Sequence, residues 1–307
     1  MMEFFKNPRD IQLILEVPGS ISNFLLDSVS PAMKKLRRQG IINRWSFLRI
    51  GRQKPPNETW LFLFCTPSPQ VSAAKTGSKV KLLLRDDLRK SGGRFRAELW
   101  APGTLEGHYK RFGGNRGIRI FNLFIRYVLS PLVLDVARLL RASLITSYEA
   151  GFCSLAFYLD MLGVPREKLA AGVSSWHRSF AGSLIADSAG RNDILFAAKE
   201  QARLELNKNK FLSGLLKNLM EKGWKKSGPP PLTRIFMRYE RHMKRIGGLL
   251  RTNQTNFSPT HPWLFVVFHS YIHTHCAHLG FGGWKELFLY LIFYEWLSAS
   301  HGQTVLK

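Results

Sequence analysis

The spacing of apolar residues changes character once along the chain, near Gly117, and that change limits the architectures open to it. Before it, runs of strand length recur at Ile11–Val17, Trp45–Ile50, Trp60–Phe64, Val80–Leu84 and Phe95–Trp100. Turn formers separate them: Pro55-Pro56, Pro67 with Pro69, and Gly92-Gly93. One helical interval stands among these runs, Ile21–Arg38, where Phe24, Leu25, Val29, Met33 and Leu36 recur close to the helical period. After Gly117 the period is helical through Ile118–Leu140, Leu144–Leu162, Pro165–Ile185, Asn192–Glu221, Leu232–Leu250, Pro262–Leu279 and Gly283–Ser300. Asn207-Lys208-Asn209-Lys210 is a candidate break in the fourth, and the three prolines of Gly223–Pro231 predict a loop there. This order predicts an α+β fold in one domain, 1–307. Residues 1–116 supply an N-terminal sheet with a covering helix, and 117–307 a mostly helical part.

A chain of 307 residues that is 45% hydrophobic can bury a substantial core. Lys and Arg outnumber Asp and Glu 45 to 21, for a net charge of +24. Such a surface attracts polyanions; nucleic acid is the default partner, and an acidic polypeptide satisfies the same electrostatics. The cysteines, Cys65, Cys153 and Cys276, form no CxxC pair, which excludes a disulfide framework and a thiolate zinc knuckle. The N-terminus lacks the basic and apolar regions of an export signal, so cytoplasmic residence is expected. No membrane partner is expected either. Leu287–Tyr294 is short and flanked by Glu286 and Glu295, while Ile118–Leu140 is interrupted by Arg119, Arg126, Asp135 and Arg138.

Chemistry concentrates in Phe268–Gly280, where His269, His273, His275 and His278 fall within ten residues. On a helix His269 and His273 share one face, and Tyr271, His275 and His278 another. Zinc ligation, packing inside a helix bundle and proton transfer all suit such a cluster. No HExxH pattern accompanies it, and histidine both gives and accepts a proton near neutral pH. A second cluster is the basic glycine turn around Lys110, Arg111, Gly113, Gly114 and Arg116, which suits a carboxylate, a phosphate or an enolate-like oxygen. Arg49 follows Trp45 and Phe47 on one side of its strand, where a cation needs a partner or a ligand. Tyr148 with Glu149, Asp160, Asp187 with Ser188, and Trp176-His177-Arg178 are polar candidates without a specifying spacing. Dinucleotide, phosphate-loop and nucleophile-elbow motifs are absent.

Trp45–Arg49, Lys110-Arg111-Phe112-Gly113-Gly114 and His273–Gly280 resemble, in order and spacing, three motifs of the C-terminal elimination domain of lantibiotic dehydratases and their free-standing thiopeptide relatives. Those motifs are of the types W-F-x-x-R-Y, R-Y-G-G and H-M-H-x-N-R-L. The resemblance implies that Arg49, Arg111 and His273 surround the reacting peptide, where eliminating members expel glutamate from a glutamylated serine or threonine. This chain departs from the eliminases at three points: Thr59–Phe64 carries no charge where they have a basic strand of the type H-L-R-L-R, the acidic position and D-S that follow R-Y-G-G fall near Asn122 and Val128-Leu129, and Ala277-His278 replaces N-R.

The departures resemble the pyridine-synthase branch, which joins two dehydroalanines by a formal four-plus-two cycloaddition and then loses water and the leader peptide. On that resemblance His273, His269, Tyr271, Arg49 and Arg111 are the expected catalytic residues. Lys110, Gly113, Gly114, His275, His278 and Trp45 are expected at the substrate, and Arg234, Arg238, Arg241, Lys244 and Arg245 at the leader. The implied partner is a leader-bearing precursor peptide containing azoles and dehydroalanines, its leader acidic. Association with other thiopeptide biosynthetic enzymes is also implied, and no cofactor or metal is expected. The alternatives are a glutamate-eliminating dehydratase component and a noncatalytic peptide- or nucleic-acid-binding protein.

Overall fold

The structure, a computed structural model, describes residues 10–19, 21–51, 58–96, 112–165, 168–169, 172–174, 191–257, 263–281 and 283–300. Two compact units form. One comprises Met1–Arg138, Leu249–Ser258 and Ala277–Gly280; the other comprises Leu139–Gly248, Pro259–Cys276 and Phe281–Lys307.

The first unit is built on an antiparallel sheet in the order β2-β3-β1-β4, with β1 at Ile11–Pro18, β2 at Ile42–Gly51, β3 at Glu58–Pro67 and β4 at Arg94–Arg96. In β3, every residue from Trp60 to Cys65 is at most 4% exposed. Leu61, Leu63 and Cys65 stand opposite Leu15, Leu13 and Ile11, while Phe62 stands opposite Ile14 and Leu48. Both faces of this strand are therefore core, which is why its sequence shows an unbroken apolar run. Helix α1, Ser30–Arg38, buries Ala32, Met33 and Leu36, and Met33 Sδ meets Cys65 Sγ at 3.6 Å.

Val80–Leu84, expected as a strand, lies instead within helix α2, Ala73–Lys90. Its buried residues Thr76, Val80, Leu84 and Leu88 recur every four positions, so burial of one helical face overrides the strand preference of a short valine- and leucine-rich window. Ser72 caps the start by accepting from Lys75 N–H, and Gly92, at φ +74°, ends it by donating to the Arg89 carbonyl. Of the expected strand Phe95–Trp100, β4 supplies Phe95 and Arg96; residues 97–100 lie outside the described part.

Helix α3, Gly114–Arg141, has the length and composition of a membrane span, with an 18-residue stretch of mean hydropathy 1.6, but 67% of that stretch is buried inside the protein. It reads as a core helix. Arg126 pairs with the buried Asp10, and Arg138 pairs with Asp135 at 2.7 Å. A π turn at Ile125–Leu129 interrupts it, as another at Leu25–Val29 precedes α1, and each is followed by Ser-Pro. A proline ring clashes with the carbonyl four residues earlier in an α-helix, and widening the preceding turn relieves that clash. Ser130, placed by the second π turn, reaches the outer border of β2. Its Oγ accepts from Phe47 N–H at 2.9 Å and donates to Phe47 O at 3.1 Å.

The second unit is helical. Helix α4, Ser147–Leu162, starts at a capping box between Thr146 and Glu149 and ends at Gly163, φ +72°. Helices α5, Arg191–Lys208, and α6, Lys210–Lys222, are divided at Asn209, whose side chain accepts from Leu212 N–H. The segment 223–231, expected as a loop, contains the helical turn Trp224–Ser227 and the start of helix α7, Pro230–Thr252. Trp224 is buried there and donates its indole N–H to Asp160 at 2.9 Å. Helix α8, His273–Leu279, follows Trp263–Val266 and a third π turn, Val267–Ile272; helix α9 is Trp284–Ser300. Most of Pro165–Ile185, with Trp176-His177-Arg178, Asp187 and Ser188, lies outside the described residues.

Two adjacent glycines of α7 give opposite expectations. A Cβ on Gly247 would sit 2.3 Å from the Met161 carbonyl oxygen of α4, whereas one on Gly248 meets nothing within 4 Å. Gly247→Ala should lower stability in urea unfolding by about 1–3 kcal/mol through overpacking. Gly248→Ala should raise it by about 0.5–1 kcal/mol by removing a flexible residue from a helix interior.

Candidate active site

In the first unit β2 and the C-terminal residues of α8 hold Arg49 at both ends. Its backbone N–H donates to His278 Nε2 at 3.0 Å, and its Nη1 donates to the Ala277 carbonyl, also at 3.0 Å. The Phe47 ring lies 5.4 Å from that of His278, and Trp45 stacks on Phe47 at 6.0 Å. Ala277 O also accepts from Gly280 N–H, so the guanidinium caps a helix end whose carbonyls carry partial negative charge. Burial pulls the Arg49 pKa below its ordinary value, yet arginine keeps its proton throughout the physiological range. Among the described residues no carboxylate pairs with it. A half-buried guanidinium whose side-chain partner is a neutral carbonyl retains the capacity to take an incoming oxyanion or amide oxygen.

In the second unit His273 is anchored to Glu286 of α9. His273 Nδ1 lies 2.8 Å from Oε2 and 3.0 Å from Oε1, and Tyr290, one turn further along α9, donates its hydroxyl to Oε1 at 3.1 Å. Glu286 is fully buried while the His273 side chain is 30% exposed. Burial raises the Glu286 carboxyl above the usual range, and the hydrogen bonds from His273 and Tyr290 pull it back in part. A half-exposed imidazole backed by a carboxylate is an arrangement suited to proton transfer. The spacing of histidines did not reveal this acid. The available signal was Glu286 itself, an acid beside an apolar helical run, four residues before Tyr290 and therefore on the same face.

The other expected residues divide. His275 and His278, expected at the substrate, are 1% and 0% exposed: His275 Nδ1 meets Tyr158 Oη at 3.0 Å, and His278 accepts from β2. Tyr271, expected as a second proton donor, is fully buried, and burial holds its hydroxyl well above the usual phenol range. Gly113, φ +71°, accepts from Asn253 Nδ2 at 3.2 Å and is packed so closely that a Cβ would lie 2.8 Å from Asn253 and Phe257. Gly114, φ +75°, borders open space. Lys110, Arg111 and the His269 side chain lie outside the described part. Arg234, Arg238, Arg241, Lys244 and Arg245 are all exposed on α7, where Glu240 pairs with Lys244 at 2.6 Å and with Lys225 at 2.7 Å.

Among the described residues no three His, Cys, Asp or Glu side chains gather as metal ligands. The three cysteines are free and buried, and burial pushes the thiols of Cys65 and Cys153 up to about 12, far from a nucleophilic thiolate at neutral pH. Two hollows in the second unit, of about 510 and 420 Å³, are lined at Phe211 and Pro229 and at Leu159 and Trp224, away from His273.

Because His278 is the acceptor for a β2 amide, its replacement has a defined effect. His278→Phe keeps a ring beside Phe47 but leaves the Arg49 N–H without that acceptor, and should cost about 1–3 kcal/mol in denaturant unfolding.

No curated protein matches the chain. Among solved structures it is similar to TsrL, with a TM-score of 0.60 at 15% identity over 95% of both chains. It is similar to the pyridine synthase TbtD from thiomuracin biosynthesis, with a TM-score of 0.60 at 14% identity over 95% of this chain and 99% of that one. The tRNA-dependent lantibiotic dehydratase MibB from Microbispora sp. 107891 gives a TM-score of 0.57 at 16% identity, over 96% of this chain and 28% of that longer one. These likenesses establish the α+β fold, an N-terminal sheet followed by a mostly helical region. The family model of the lantibiotic biosynthesis dehydratase C-terminal domain matches residues 15–296, and the chain belongs to that family of peptide-modifying enzymes.

Proposed function

We propose that this protein is a pyridine-forming macrocyclase acting on a leader-bearing, azole-containing peptide with two dehydroalanines. The observation that carries the choice over glutamate elimination is β3. Where the elimination-domain motif is a basic strand of the type H-L-R-L-R, Trp60–Phe64 is an uncharged run buried on both faces, with no cation of its own to grip a glutamyl carboxylate.

The reaction requires little of the protein beyond holding, polarising and moving protons. Two dehydroalanines far apart in a linear peptide meet rarely, so immobilising them together supplies most of the acceleration through proximity. Arg49, with Arg111, polarises the amide oxygen that takes part in ring formation. His273 moves protons: it assists tautomerisation of that amide, gives a proton taken from the substrate to the departing oxygen as water leaves, and then carries a ring proton to the amide nitrogen of the leader as it is expelled as a carboxamide. The acidic leader docks on the exposed basic face of α7 through Arg234, Arg238, Arg241 and Arg245, with Lys244 shared with Glu240. Neither redox chemistry nor a nucleotide enters this sequence of steps.

The test is mass spectrometry of a leader-bearing peptide with azoles and two dehydroalanines, incubated with the purified protein. Loss of water with release of a leader carboxamide is expected, and His273→Phe should reduce turnover by about 100-fold or more while leader affinity is kept. Glutamate release from a glutamylated peptide without ring formation would assign elimination instead. Salt-sensitive nucleic-acid binding with neither product would replace both readings.

A further inference from the structure

We infer that Glu286 is a positioning residue that fixes the tautomer of His273, with Tyr290 holding the carboxylate in place for that task. The inference rests on the reading of His273 as the proton-transfer group. It adds a residue pair that the resemblance did not supply.

An ionised carboxylate only accepts, so an imidazole nitrogen 2.8 Å from it must be the one that carries hydrogen. In the neutral ring the proton then resides on Nδ1, and Nε2 is left as the basic nitrogen. Both carboxylate oxygens lie within 3.0 Å of Nδ1, so the ring is steered by the whole group and not by one rotamer of a single oxygen. Tyr290 donates to Oε1, which takes one further acceptor site of the carboxylate and fixes its plane. Glu286 and Tyr290 are one helical turn apart on α9 and are 0% and 2% exposed, so the acid arrives on a rigid element with its solvent removed.

The charge balance closes as well. Before the step the pair is neutral imidazole and carboxylate; after Nε2 takes a proton from the substrate it is imidazolium and carboxylate, a hydrogen-bonded ion pair. Returning that proton from Nε2 to the departing oxygen restores the starting state. Without the carboxylate the half-buried imidazolium would stand uncompensated on its inner side, which is the less favourable end of the step.

The experiment uses the full chain with nitrogen-15 histidine, and the signals of His273 among the nine histidines are identified by their loss in His273→Gln. Ring nitrogen shifts of the neutral form should show hydrogen on Nδ1 and a bare Nε2. Glu286→Leu, apolar and of similar bulk at a buried position, should release the tautomer to a mixture. It should also lower kcat on the dehydroalanine peptide by on the order of 100-fold with KM changed less than about threefold. Glu286→Asp keeps a carboxylate and should retain the Nδ1–H form with an intermediate kcat, a rescue that a merely structural role would not produce. A wild-type spectrum with hydrogen on Nε2 overturns the inference without any variant, and so does a folded Glu286→Leu whose His273 signals are unchanged. Should no peptide be turned over while the tautomer responds as described, positioning by Glu286 stands and the cyclase reading fails.

Discussion

β2 borders its sheet, so half of its backbone groups face away from β3 and need partners from elsewhere. Two side chains partner three of them. Ser130 serves both the N–H and the carbonyl of Phe47, and His278 serves the N–H of Arg49. Closing a sheet border with side chains instead of another strand blunts an edge that would otherwise pair with a second chain. The same closure sets Arg49 in the chain direction it needs, because its guanidinium reaches the carbonyl of the residue adjacent to His278. The position of the arginine is thus a by-product of satisfying the strand.

The two candidate residues, one in each unit, are held by contrasting means. Arg49 is a half-buried cation resting on a carbonyl, with no carboxylate paired to it among the described residues. His273 is the reverse, a half-exposed ring backed by a buried acid whose burial raises it and whose hydrogen bonds lower it again. One arrangement favours the arrival of negative charge from a substrate, and the other favours movement of a proton at constant geometry.

Much of this was legible in the residues. The runs at Ile11–Val17, Trp45–Ile50 and Trp60–Phe64 became strands, and the break at Asn207–Lys210 became the Asn209 cap between α5 and α6. Val80–Leu84 misled because five residues are too few to separate a four-residue recurrence from a strand, and the deciding burials, Thr76 and Leu88, lie outside the window. At the site, the motifs named Arg49 and His273 but not what holds them. Spacing along one helix says which residues share a face, and it is silent on the acid that a second helix brings to that face. For the same reason the burial of His275 and His278 was not legible in their spacing: their partners, Tyr158 and the Arg49 amide, are 117 and 229 residues away.

The π turn at Val267–Ile272 gives the late helix a register of its own. His273 N–H reaches back to Phe268 O, five residues away, where an α-helix would reach four. That extra residue shifts everything downstream about the helix axis, by roughly a quarter turn or more, from where its number would place it on an unbroken α-helix. Deleting one residue between Val267 and Ile272 would close the wide turn to a plain α turn with the three histidines left on their present faces, so a homologue with a plain α-helix here aligns with a one-residue gap ahead of His273.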